Sequence, residues 1–203
     1  MLKQRGLSLV ELMITITLGL ILMAALTSVF SHTLGTNSRS LQLSQLQEEA
    51  TAAMNLLVGD LRRTGYRANA HFLVVDPDNA VAGFNNTVSV SQHPDEPANS
   101  CILFDYDANN NAVHDGDTER FGYRLRNGQI QRRSAGLGCA DAGWEGLTSP
   151  ALIQVDVLEF ILTERMIDVV NEQVVDVLAV VSLPSDNEIT RELATEVVIR
   201  NAF

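Results

Sequence analysis

Seven oxygen-bearing side chains crowd the stretch DYDANNNAVHDGDTE: Asp105, Asp107, Asn109, Asn111, Asp115, Asp117 and Glu119. Their near-alternate spacing lets a tight loop turn several hard oxygens toward one Ca2+, which takes roughly 6–8 such ligands. The EF-hand pattern is incomplete, because Asn110 stands where its glycine belongs and Gly116 holds the twelfth place counted from Asp105. A solvated Asx-rich turn has the same composition, since Asn and Asp tolerate left-handed backbone and bond to their own main chain. Four of the carboxylates, Asp105, Asp107, Asp115 and Asp117, would repel one another if they converged without a cation. No cofactor is required by this reading: the plain Asx turn accounts for the loop, and Ca2+ bound at 105–119 is its alternative.

Two further residue sets bear on chemistry. Glu11 stands inside an apolar run of 24 residues, 7–30, where a carboxylate costs roughly 2.5–3.5 kcal/mol at a helix centre and less near an end. It must find a partner, reach the headgroups or take up a proton. Cys101 and Cys139 are the two cysteines of the chain. In an oxidising compartment they are expected to form a disulfide, the alternative being two buried thiols. The four histidines, His32, His71, His93 and His114, show no metal spacing and read as surface residues, and no nucleotide-binding or nucleophile motif occurs. No enzyme is expected.

The elements that carry these residues follow from pattern. The run 7–30 exceeds the 7–15 residues of a signal-peptide apolar region, and at about 1.5 Å per residue it spans roughly 36 Å, enough to cross a bilayer with some tilt. Lys3 and Arg5 before it place the amino terminus in the cytoplasm. Beyond it, Leu46, Ala50, Ala53, Leu57 and Leu61 recur every three or four residues and draw an apolar stripe. With no proline before Pro77, the helix can run on through 31–65, ending near Gly65 behind Arg62 and Arg63.

The remainder, 66–203, reads as a β-rich globular domain. FLVV from Phe72, TVSVS from Thr87 and the CILF segment are strand-like, and FGYRLRNGQIQRR is a hairpin whose Asn127-Gly128 pair suits a type I′ turn. Further strands are expected within 151–163, 174–183 and 193–200. Tyr66 and Trp144 read as domain anchors. The class is α+β, one long amino-terminal helix against antiparallel sheet. A net charge of −11, from 14 Lys and Arg against 25 Asp and Glu, argues against nucleic acid as a partner.

The leader ending in Gly6, followed by LSLVELM, resembles the prepilin-type signal of type IV pilins and pseudopilins. In that family a prepilin peptidase cuts after the glycine and methylates the new terminus, which would be Leu7, where Phe is usual. Residues 1–6 are then the leader, and Glu11 falls at the family's glutamate, whose carboxylate meets the terminal cation of a neighbouring subunit. Asp60, Leu61, Arg62, Gly65 and Tyr66, in QEEATAAMNLLVGDLRRTGY, resemble the PilW-like minor pilins, and CILFDYD, FGYRLRNGQIQRR and WEGLTSPALIQVDVLEF extend the likeness. The resemblance implies a minor pilin, anchored in the inner membrane with its domain in the periplasm. Its partners would be the peptidase, other minor pilins and the major pilin, in a priming or tip complex. A J-type pseudopilin of type II secretion is the near alternative, and a membrane-anchored periplasmic sensor or enzyme the distant one.

Overall fold

The computed structural model describes residues 8–71, 75, 84, 88–167 and 170–200. Gly6, Leu7 and most of the expected FLVV strand lie outside them. The chain divides into two compact units, Met1–Ser44 and Gln45–Phe203.

A single helix, α1 (Leu9–Leu61), enters both units. In the first unit its large apolar side chains, Leu9 to Phe30, are exposed, as a segment built for lipid or for other helices requires. Polar residues there are reconciled with an apolar setting by local bonds: the hydroxyls of Thr15, Thr17, Thr27, Thr33 and Thr36 each donate to a carbonyl three or four residues back. The helix is long and apolar enough to cross a membrane. In the second unit the predicted stripe, Leu46, Ala50, Ala53, Leu57 and Leu61, is buried throughout. The α-helix stops at Leu61, and tighter turns carry the chain to Gly65, which sits at φ 73°, the left-handed conformation expected of a glycine there.

The strands form two antiparallel meanders rather than one sheet. The first has the order β1 (Ser89–Ser91), β2 (Cys101–Asp105), β3 (Arg120–Arg126), β4 (Gln129–Arg132) and β5 (Glu145–Gly146). The β3–β4 turn has Asn127 at φ 50° and Gly128 at φ 69°, the two positive values that a type I′ turn requires. The second joins β6 (Gln154–Ile167), β7 (Val170–Leu183) and β8 (Asp186–Ile199), each of 14 residues and each longer than its expected segment. The Phe160 N–H donates to the Asn99 carbonyl and the Val155 N–H to that of Gly128, tying the sheets together.

The first sheet is covered on both faces. Register places Ile102, Phe104, Phe121 and Tyr123 on one side and Cys101, Leu103, Gly122 and Arg124 on the other. The aromatic side stacks Phe104, Tyr106, Phe121 and Tyr123 at centroid separations of 4.0–6.5 Å and meets the end of α1. The opposite side is closed by the chain between β4 and β5.

Candidate functional site

Asp60 lies on the stripe of α1 one turn after Leu57, so its carboxylate is carried into the interior and is 1% exposed. The Tyr123 hydroxyl donates to it at 2.6 Å, Arg63 pairs with its other oxygen, and Arg132 stands 3.9 Å away. The Arg63 guanidinium also lies 4.9 Å from the Tyr106 ring centroid. Burial pushes the Tyr123 hydroxyl well above its ordinary range, and the hydrogen bond to Asp60 pushes it further. It therefore stays a donor. This charged bond clamps the end of α1 to β3.

The next residues stitch that helix end to the Asx-rich loop. The Gly65 N–H donates to the Asp105 carbonyl, the Asp107 N–H to that of Tyr66, and the Tyr66 hydroxyl to Asn110 Oδ1 at 3.0 Å. Of the five residues that carry the PilW-like resemblance, Asp60, Leu61, Gly65 and Tyr66 thus make up one joint between helix and domain, while Arg62 is exposed. Tyr66 anchors it through its hydroxyl, its ring being half-exposed.

Within the loop most of the expected oxygen donors face internal partners. Asp107 accepts backbone N–H bonds from Ala68, Asn111 and Ala112. Glu119 accepts from Ala108 and Asp115. Asp115 takes the amides of Asn109 and Asn111, Asp105 meets His114 Nε2 at 3.0 Å, and Asp117 pairs with Arg120. Among the described residues no three His, Cys, Asp or Glu side chains are grouped to hold a metal. His114 and His93 are half-buried, unlike the surface histidines expected. Burial pushes the Asp107 carboxyl up, but its backbone donors together hold it below the usual range. Its folded pKa being depressed, Asp107 contributes stability at neutral pH that is lost as pH falls through its folded pKa.

On the other face of the sheet Cys101 and Cys139 form the expected disulfide, with Cα atoms 6.1 Å apart. The bridge packs with Trp144, Leu103 and Leu137. Trp144 donates from Nε1 to the Gly138 carbonyl, and the Arg124 guanidinium lies 4.5 Å from its ring centroid while bonding the carbonyls of Cys139 and Asp141. Trp144 is an anchor, as its sequence position suggested. Arg124 was not foreseen: alternation on β3 marks it as opposite in face to Tyr123, but nothing local says that this face is also covered.

Glu11 occupies the first turn of α1 and is exposed. A carboxylate there interacts favourably with the positive end of the helix dipole, and its side chain is open to another molecule.

The comparisons agree with this arrangement. A family model described as prepilin peptidase-dependent protein B matches residues 39–199, from the amphipathic part of α1 through β8. The prokaryotic N-terminal methylation motif matches residues 1–27, which contain Gly6, Leu7 and Glu11. No curated protein and no solved structure matches the chain. An apolar amino-terminal helix under a methylation motif, clamped through Asp60 to an antiparallel domain, places the chain in the prepilin peptidase-dependent protein B family, as a pilin-like protein.

Proposed function

We propose that this pilin-like protein is a minor subunit of a type IV pilus, working by helix packing and surface recognition rather than turnover. It is cut after Gly6, methylated at Leu7, anchored in the inner membrane with its domain in the periplasm, and built with other minor pilins and the major pilin into a priming or tip complex. The observation that carries this reading is Glu11: it is the single charge in the exposed apolar part of α1, within the residues matched by the methylation motif. Without a cation its place in a packed assembly is costly. The ammonium of a neighbour's processed terminus is the partner at hand.

Mass spectrometry of the membrane-extracted protein is expected to find N-methylated Leu7 as the first residue. A terminus at Met1, or one after the apolar run, would remove the proposal. Glu11→Leu is expected to leave membrane insertion intact while depleting the protein from sheared pili; equal amounts in the sheared fraction would make Glu11 a tolerated charge.

Calcium on the 105–119 loop remains a separate proposal, supported by the density of oxygens and requiring Asp107 and Glu119 to exchange backbone donors for the ion. The expected result is a higher melting temperature in millimolar Ca2+ than in chelator at matched ionic strength, the ion adding about 2.7 kcal/mol of stability at a hundredfold excess over Kd. Asp105→Ala with Asp107→Ala should abolish the difference. Coincident melting curves would leave an Asx-rich turn.

A further inference from the structure

We propose that the outer face of the β6–β8 sheet is a docking surface for a partner that presents Lys or Arg among aliphatic side chains. This stands apart from filament assembly and rests on the face itself. Side chains alternate along the strands, so burial of Leu158 and Phe160 on β6, Val175 and Val177 on β7 and Val197 on β8 turns their neighbours outward. The outward set lines up by register as Val157–Val180–Glu192, Glu159–Leu178–Ala194, Ile161–Asp176–Glu196 and Thr163–Val174–Val198.

The aliphatic members are not covered: Val157 is 37%, Ile161 47% and Val198 41% exposed. Around them Glu159, Ile161, Asp176, Leu178, Ala194 and Glu196 line a shallow concavity of about 440 Å3. All the charge on these four rows is negative, and Arg165 enters the same face one row beyond Thr163, opposite Glu172. Glu159, Asp176, Glu192 and Glu196 have no cationic neighbour among them, and Asp176 and Glu196 stand directly opposite each other, a cross-strand arrangement that destabilises the free sheet. Two carboxylates held together on an aliphatic surface make an incoming cation favourable, because it relieves their repulsion while the aliphatic rows lose water.

Charge selects the occupant. A second copy of this face would bring four more carboxylates against the first four, and the chain as a whole carries −11. Anionic lipid headgroups are repelled for the same reason. A cationic, aliphatic protein surface satisfies both halves of the face, with the charges setting encounter and register and the apolar rows supplying burial.

The test uses full-length protein in neutral detergent and two synthetic ten-residue peptides, one alternating Lys with Val and one alternating Glu with Val, followed by fluorescence anisotropy. The Lys peptide is expected to bind, and the Glu peptide not to. Asp176→Asn with Glu196→Gln should weaken the Lys peptide about tenfold, and Val157→Ser with Ile161→Ser about fivefold. The same charge change made elsewhere, Glu48→Gln with Glu145→Gln, should alter it less than twofold. All replaced side chains are exposed, so no variant should melt well below the parent, and the Asp176/Glu196 variant, freed of its cross-strand repulsion, should melt at or slightly above it. An equal loss in the Glu48/Glu145 variant would reduce the effect to general attraction by an acidic protein and overturn the proposal, as would affinity indifferent to the Val157/Ile161 change.

Discussion

Full-length protein carrying Cys101→Ser and Cys139→Ser is expected to melt about 10 °C below the parent. The bridge links residues 38 apart, and closing a loop of that length in the unfolded chain is worth about 4 kcal/mol in the chain-entropy model. For a domain of this size each kcal/mol moves the midpoint by about 2–4 °C. The loss has a local readout as well. Trp144 is the single tryptophan and packs on the bridge, so its emission should change on reduction before the rest of the domain unfolds. Thiol labelling of the denatured, unreduced protein should find no free cysteine. Two labelled thiols per chain, or a midpoint within 2 °C of the parent, would refute a stabilising bridge.

Asp60→Ala should cost about 3 kcal/mol. It removes a charged acceptor from the buried Tyr123 hydroxyl and from Arg63, and hydrogen bonds to charged groups are worth about 1.5–3 kcal/mol each, a value discounted for Arg63 because its side chain is mostly exposed. Tyr123→Phe should cost less, about 1–2 kcal/mol, because Asp60 keeps Arg63. If the two act as one clamp, the double variant will lose less than the sum of the single losses. Denaturant unfolding in detergent measures all three. A change below 0.5 kcal/mol for Asp60→Ala would mean that α1 is held by its apolar stripe alone.

The helix was legible because its information is local. A 24-residue apolar run and a stripe at spacings of three and four specify a helix and its buried side without reference to anything else. The β3–β4 turn was legible for the same reason, since Asn127 and Gly128 accept the positive φ that the turn needs. Composition and redox compartment were enough to expect the disulfide, though only the approach of β2 to the chain after β4 brings Cys101 within reach of Cys139.

Other features depended on partners distant in the chain. The polar start of β8, DNEITRE, has no strand-like run of apolar residues and is held by the end of β7, which pairs with Asp186 and, after a break in register, with Thr190, Arg191 and Glu192. Asp60 was marked in the sequence by the PilW-like resemblance alone, and its burial and its bond to Tyr123, 63 positions away, came only with the fold. The crowded oxygens of the 105–119 loop had two readings from spacing alone. The fold directs Asp107 and Glu119 at backbone N–H groups, and donors of that kind are invisible in a list of side chains. Sequence by itself determined which residues are helical, apolar or able to turn. Tertiary structure decided which polar groups are buried together, because that depends on contacts between segments that no local pattern encodes.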